Sequence, residues 1–95
     1  MIIYAAQIHL YAAYPRSLKE KRMIVRSLSD RLKNKFQLAC AEIGFQDNHQ
    51  QIMIGIAAVS DQASHARTVV HKAISYTEQT CEAEIIQISE AEFSL

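Results

Sequence analysis

The chain has 95 residues, of which 49% are apolar and 21% charged, with only two glycines and one proline. This composition is typical of a globular domain with short connections, and it excludes a linker or a disordered tail. No apolar run approaches the roughly 20 residues that a bilayer crossing needs, and the N-terminus lacks the basic lead of a signal peptide. We therefore expect one domain over residues 1–95, located in the cytoplasm and not in a membrane.

The positive charge is concentrated in one segment, although the ten basic and ten acidic residues balance overall. Eight of the ten basic residues lie between Arg16 and Lys35, with only Glu20 and Asp30 as acids among them. The other two basic and eight acidic residues lie elsewhere in the chain. This segment is therefore the first candidate surface for a negatively charged partner.

Hydrophobic periodicity predicts a strand followed by a helix at the N-terminal end. Residues Ile2 to Tyr11 alternate in character with the period of a strand, and Pro15 ends it. Ser17 and Glu20 form a capping box, in which the hydroxyl accepts a helix amide and the carboxylate reaches back to the first residues. A helix is therefore predicted from this point to about Lys35.

The rest of the chain predicts a hairpin, a second helix and a last strand. We expect strands at Phe36 to Ile43 and Ile52 to Ala58, joined by a polar turn at Gly44 to Gln50. A helix capped by Ser60 or Asp61 follows and ends near Gln79. The last strand runs from Ala83 to about Glu90. The order is therefore strand, helix, strand, strand, helix, strand.

Each predicted helix has one apolar stripe. The stripes are Leu18, Val25, Leu28 and Leu32, with Ile24 at the margin, and then Ala66, Val69, Val70, Ala73, Ile74 and Thr77. Two crossovers and one hairpin predict a split βαβ arrangement, with both helices on one face of an antiparallel sheet ordered 4-1-3-2. The predicted fold class is α+β, with a ferredoxin-like βαββαβ topology.

Several motifs resemble one known family over nearly the whole chain. They are Ser17 to Arg22 (SLKEKR), Leu28 to Phe36, Ala41-Glu42, Gln46-Asp47 and Gly55 to Ser60. Together they resemble the YlxP family of small bacterial proteins of unknown function. The resemblance implies a ferredoxin-like fold, and the family's genes, often found among those for transcription and translation factors, suggest work on RNA or the ribosome. The hairpin departs from the family, with Gly44, Phe45, Asn48 and His49 in place of the usual Asp, His, Leu and a large aromatic residue.

Four cations of the first helix fall within about 60° of one another on a helical wheel. They are Lys19, Arg22, Arg26 and Lys33, and we call them the basic strip. Further cations, Arg16 and Lys21, crowd the helix N-terminus, where the helix dipole disfavours positive charge. Clustered cations beside free helix amides form an anion site, for which nucleic-acid phosphate is the natural ligand. A solvated polar face and a protein partner are the alternatives.

Lys21 differs from the other cations because it points close to the centre of the apolar stripe. In the predicted topology, Glu42 faces the helices at the same end of the sheet. We therefore expect Lys21 and Glu42 to form a structural ion pair. The alternative is that the Lys21 side chain extends outward and joins the anion site.

The sheet face away from the helices carries uncharged and mostly small side chains. It comprises Ala5, Gln7, His9, Tyr11, Gln37, Ala39, Ala41, Ile43, Met53, Gly55, Ala57, Ile85, Gln87 and Ser89. An RNA-recognition sheet of this topology presents stacking aromatic residues on its first and third strands among basic residues, whereas the third strand here has Met53 and Gly55. We therefore do not expect this face to read bases in that way. A second copy is the simplest cover for such a face, so a homodimer is predicted. A monomer surface and a small-molecule pocket between two sheets are the alternatives.

The sequence contains no motif that indicates catalysis, a cofactor or a metal. It has no Gly-rich phosphate loop and no nucleophile elbow, so we expect no enzyme activity and no cofactor. Cys40 and Cys81 lack metal or redox spacing and are expected to be free thiols. The weaker candidates are a chance divalent site of His9, Asp47 and His49 near Glu42, and solvated or packing histidines at His65 and His71.

The leading hypothesis is a non-enzymatic domain that associates with RNA or a ribosomal particle through Arg16 and the basic strip. One alternative is a protein-interaction module, whose basic helix meets an acidic surface. The last strand offers such a surface with Glu82, Glu84, Glu90 and Glu92. The other alternative is a small-ligand sensor in the cleft of a dimer.

Overall fold

Six elements follow one another in the predicted order in the computed structural model, which describes residues 1–95. They are β1 (Ile2–Tyr11), α1 (Leu18–Lys35), β2 (Ala39–Gly44), β3 (Gln51–Ser60), α2 (Ala63–Thr80) and β4 (Glu84–Ser94). The sheet order is β2-β3-β1-β4, and all neighbouring strands are antiparallel. This is the predicted order read from the other edge, so the ferredoxin-like fold is confirmed. Neither helix is long and apolar enough to span a bilayer.

One hydrophobic core lies between the helices and the sheet. The strands bury alternate residues in it, as their period of two requires. The helices bury Val25, Leu28 and Leu32 from α1 and Ala66, Val70 and Ala73 from α2. Both predicted apolar stripes therefore face the core, except for Leu18, which is partly exposed outside it. The α1 helix contacts the edge strand β2, and α2 packs mainly on the central strands β1 and β3.

The two ends of α1 explain its length. At the start, Glu20 N donates to Ser17 Oγ at 3.2 Å, while Glu20 Oε2 accepts from Arg16 N at 2.6 Å. The capping box is therefore present, with its carboxylate bound one residue earlier than the motif specifies. At the end, Phe36 N donates to Leu32 O, so Phe36 completes the helix and does not begin β2 as predicted.

The predicted cap of α2 is wrong. Gln62 occupies the N-cap position and makes no side-chain capping bond. Ser60 is instead the last residue of β3, and its Oγ accepts from Gln62 N at 3.1 Å. This hydrogen bond therefore closes the turn that precedes α2 and does not cap the helix itself.

A register shift in β4 and the observed bounds of β2 and β4 change which residues face away from the helices. In β4 the register shifts so that Ile85 pairs with Leu10 and Gln87 with His9, leaving Ile86 as the extra residue. Ile85 therefore packs towards the helices, contrary to the prediction. We call the helix-free side of the sheet the open face. It loses Gln37, which lies outside β2, and gains Ala91 and Phe93 because β4 continues beyond Glu90.

Candidate nucleic-acid interface

The basic strip is fully presented to solvent. All four of its residues are exposed, and none forms an ion pair or a side-chain hydrogen bond within the chain. Arg16 is exposed as well, and only its backbone amide is engaged. These five cations are therefore available to a partner, because internal contacts do not satisfy them.

The strip lies on the outer side of α1, beside the edge strand β2. The opposite side of the helix faces α2, where Arg31 Nη1 lies 3.3 Å from Thr80 Oγ1 and the Lys35 ammonium sits over the Tyr76 ring. On the strip side, Lys33 is close enough to Cys40 of β2 to lower the pKa of its thiol, although burial raises that pKa more strongly. The cations of α1 thus separate into a group packed on α2 and a free group.

Lys21 forms the ion pair with Glu42 at the end of the sheet. Its side chain is completely buried, and Nζ lies 2.9 Å from Glu42 Oε2 and donates to Phe45 O at 2.6 Å. Glu42 Oε2 is buried and receives no hydrogen bond of acceptable angle, so its contact with the ammonium is mainly a charge interaction. The alternative prediction, in which the Lys21 side chain extends outward, is wrong, because its charge is enclosed between α1, β2 and the hairpin.

The hairpin between β2 and β3 holds an exposed aromatic residue in an uncommon conformation. Phe45 has a φ of 56°, in the left-handed region, and is 43% exposed. Its ring stacks on His9 of β1, with centroids 5.0 Å apart and planes inclined by 22°. His9 Nε2 in turn lies 2.6 Å from Gln51 Oε1. The sequence offered no signal for this stack, since its partners are far apart in the chain.

No three His, Cys, Asp or Glu side chains are grouped as a metal ion would require. His9, which the sequence placed near Asp47 and His49 as a weak metal candidate, is engaged by Phe45 and Gln51. Both cysteines are free thiols.

A cluster of polar side chains joins α2 to β1 and β4, and sequence reasoning missed it. Tyr4 Oη donates to Glu90 Oε1 at 2.8 Å, and His71 Nε2 lies 2.6 Å from the same oxygen. Arg67 pairs with Glu92 at 3.0 Å. His71 is thus a partner of Glu90 and not simply solvated. Two of the four glutamates expected to form an acidic surface are therefore already bound by side chains of the same chain.

Hydrogen bonding in this cluster shifts two pKa values. The bond from Tyr4 holds the pKa of Glu90 below its ordinary value, and His71 adds to the effect. The same bond raises the pKa of Tyr4, with burial as a second cause. The cluster is therefore most stable with a charged Glu90 and a neutral Tyr4.

The open face carries a shallow, mainly apolar groove of about 590 Å³. Its floor is formed by small residues of all four strands, among them Ala5, Ala41, Gly55 and Ala91. Gly55 lets Ile43 lie close, because a Cβ at position 55 would meet the Ile43 side chain at 3.1 Å. One acid, Glu84, pairs with Tyr11 at the far end, so the face is neutral except there.

Comparison with known proteins identifies the family. Residues 3–90 match the model of a family described as "Protein of unknown function (DUF503)". The chain belongs to this family. It is 35% identical over 68 residues to the uncharacterized protein YlxP of Bacillus subtilis strain 168, an alignment that covers 72% of the chain and 74% of YlxP.

Two solved structures share the fold of this family member. A de novo designed protein with a ferredoxin fold, LFR1 1, matches with a TM-score of 0.58 at 10% identity, over 100% of this chain and 88% of the designed one. At3g17210 of Arabidopsis thaliana matches with a TM-score of 0.52 at 9% identity, over 98% and 94% of the two chains. Identities this low show a common fold and nothing about function.

The first prediction concerns the buried ion pair. Lys21→Met removes the charge that Glu42 and the Phe45 carbonyl face, and should lower the free energy of unfolding by about 3 to 5 kcal/mol. Urea denaturation measures the loss. Lys33→Met, at an exposed position of the same helix, is the control and should change stability by less than about 0.5 kcal/mol. Adding Glu42→Leu to Lys21→Met should recover part of the loss, and no recovery would contradict the pairing.

The second prediction concerns the pH dependence of the Tyr4 and Glu90 bond. The pKa of Glu90 is lower in the folded chain than its ordinary value of 4.5, so the bond stabilises the fold fully above that value. The stabilisation is lost as the pH falls through the folded pKa. Tyr4→Phe should therefore lower the urea midpoint at about pH 6, and the difference from the parent should shrink towards about pH 3.

The matched control for this measurement is Tyr11→Phe, because the Tyr11 hydroxyl makes no hydrogen bond within the chain. Its urea midpoint should follow that of the parent at every pH. A difference between Tyr4→Phe and the parent that stays constant as the pH falls would contradict the assigned bond.

Proposed function

We propose that this protein is a non-enzymatic cytoplasmic domain that binds RNA, free or in a ribosomal particle, through Arg16 and the basic strip. The observation that carries the proposal is the state of these cations, which are aligned and exposed and have no partner within the chain. The neighbouring cations Arg31 and Lys35, by contrast, are packed against α2. Several unpaired cations aligned on one side of a helix can contact several phosphates of one strand, which an isolated charged group cannot do.

The salt dependence of binding follows from the number of cations. If each of the four residues of the basic strip neutralises one phosphate of a single strand, log K should fall with log salt with a slope of about −3. Such binding derives mainly from released counterions, so it would be weak at high salt and insensitive to base sequence.

The alternative protein partner is less well supported. Binding of the basic strip to the acidic β4 of a second copy would need free glutamates there. Glu90 and Glu92 are already bound by His71, Tyr4 and Arg67, and pulling them away would break those contacts. Glu82 and Glu84 remain, which is fewer charges than the strip presents.

The open face supports a homodimer as a second feature of the proposed function. Its groove is apolar and nearly free of charge, so two copies could face each other without repulsion between like charges. The basic strips lie outside this face, on α1, and a dimer would thus present two strips to RNA. A small ligand held between the two sheets is the other use of the same groove.

The third prediction tests the basic strip. Arg22→Glu together with Arg26→Glu should abolish co-sedimentation with ribosomal particles, because two attractions become repulsions in the middle of the strip. The double change Lys35→Glu and Lys72→Glu alters the net charge equally on surfaces outside the strip and should leave co-sedimentation nearly intact. Unchanged co-sedimentation of the strip variant, or equal loss in both variants, would contradict the proposal.

The fourth prediction tests the dimer. Gln7 is exposed near the middle of the open face, on β1, so Gln7→Arg would place like charges against each other in a symmetric pair of sheets. Sedimentation equilibrium should show a dimer for the parent and at least about tenfold weaker association for this variant. Gln79→Arg on the outside of α2 is the matched control and should remain dimeric. A monomeric parent would rule the interface out.

A further inference from the structure

We propose that Phe45 and His9 form a stacking platform for one base of the RNA strand whose phosphates contact the basic strip. This inference rests on the proposed function and adds a contact to the bases, which the strip alone does not provide. The platform is the ring of Phe45, supported from one side by the ring of His9.

The first observation is the backbone conformation of Phe45. Phe45 has a φ of 56°, in the left-handed region, which is strained for a bulky residue. The chain supports this conformation with two hydrogen bonds to the Phe45 carbonyl, from Lys21 Nζ at 2.6 Å and from Asn48 N at 3.0 Å. A fold that only needed a turn would have glycine or asparagine at such a position.

The second observation is the exposure of the Phe45 ring. The residue is 43% exposed and does not belong to the hydrophobic core or to the residues packed against it. With His9 against one face, the opposite face of the ring is the one available to a planar ligand. The hydrogen-bonding contact of His9 with Gln51 at 2.6 Å fixes the orientation of the support. The pair is therefore pre-organised, which lowers the entropy cost of stacking a base on it.

The third observation is the position of the platform beside the cations. Lys21 connects the Phe45 carbonyl directly to the first turns of α1, and Arg22 and Lys19 of the basic strip lie within two residues of it. The Phe45 ring itself lies with His9 on the open face, so a strand that follows the strip towards the N-terminus of α1 would pass around this end of the sheet to reach it. Cations along a backbone and an aromatic surface for a base are the two parts of a single-strand site.

The platform lies on the open face but outside its groove. The groove is lined neither by His9 nor by Phe45, which lie beyond one end of it. A second copy that covers the groove therefore need not contact the Phe45 ring. A dimer that covers the groove alone leaves the exposed ring free, and the flat ring fits the shape of a nucleobase.

Fluorescence of one variant tests stacking directly. The chain has no tryptophan, so Phe45→Trp introduces a single emitter at the platform and retains an aromatic ring. A short single-stranded oligouridylate or oligoadenylate should quench this emission on binding. An abasic oligomer of the same length, which has the phosphates but no bases, should bind through the strip without quenching. Equal quenching by both oligomers would overturn the proposal.

Affinity measurements provide the second readout. Phe45→Asn removes the ring but keeps a residue that tolerates the left-handed region. It should weaken binding of the base-containing oligomer about 5- to 100-fold and leave the abasic oligomer unaffected. Tyr14→Asn, at another exposed aromatic residue that lies in the loop before α1 and outside the groove, is the matched control and should bind both oligomers like the parent. Thermal unfolding of each variant shows that it is folded.

The outcomes separate this inference from the proposed function. If the parent binds both oligomers equally and Phe45→Asn changes neither affinity, the platform is wrong while the strip stands. If Phe45→Asn changes the oligomeric state and not the affinity, the ring is a protein contact and the platform is also wrong. If the parent binds neither oligomer, and ribosomal particles do not retain it, the proposed function fails and the platform fails with it.

Discussion

The buried ammonium of Lys21 fixes how α1 lies on the sheet. A charge in an apolar stripe must be met by a partner, and the end of the sheet beside the hairpin offers the Glu42 carboxylate and the Phe45 carbonyl together. The pair of contacts therefore determines the rotation of α1 about its axis. It also joins three elements that are separate in sequence, since Lys21 belongs to α1, Glu42 to β2 and Phe45 to the turn that follows.

The direction of the basic strip depends on this rotation. One residue corresponds to about 100° around a helix, so a shift of one position would turn the strip towards the core or towards α2. With Lys21 buried, Arg31 and Lys35 reach the side chains of α2, and the remaining cations point past β2. The same interaction holds the Phe45 carbonyl. The charged and aromatic parts of the candidate site are thus positioned by one group.

Sequence periodicity was sufficient for the parts of the fold that depend on alternation. The strand order, both helical stripes and the proximity of Lys21 to Glu42 follow from periods of 2 and 3.6 together with crossover rules. The irregular positions could not be predicted from these periods. The extra residue at Ile86 moves Ile85 to the other side of the sheet, and nothing in the local sequence distinguishes it from a regular strand.

The same limit applies to contacts between distant residues. Tyr4, His71 and Glu90 each have an unremarkable local environment in sequence, and they meet only because the fold brings β1, α2 and β4 together. The stack of Phe45 on His9 depends on a positive φ at a residue type that seldom adopts it. Contacts between distant residues and local backbone strain produce no periodic pattern in the sequence. Both occur at the surfaces for which a function is proposed.

The distribution of charge determines what kind of RNA binding the proposed site would provide. The chain is neutral overall, so long-range attraction to a polyanion is weak, and affinity must come from local arrangement. The acids of β4 that would oppose a nearby phosphate are partly neutralised by α2, on the side of the sheet opposite β2. The positive edge beside β2 is therefore separated from the acidic edge by the width of the sheet. A strand of RNA could lie along the first without approaching the second, and a stacked base at the hairpin would then fix its register.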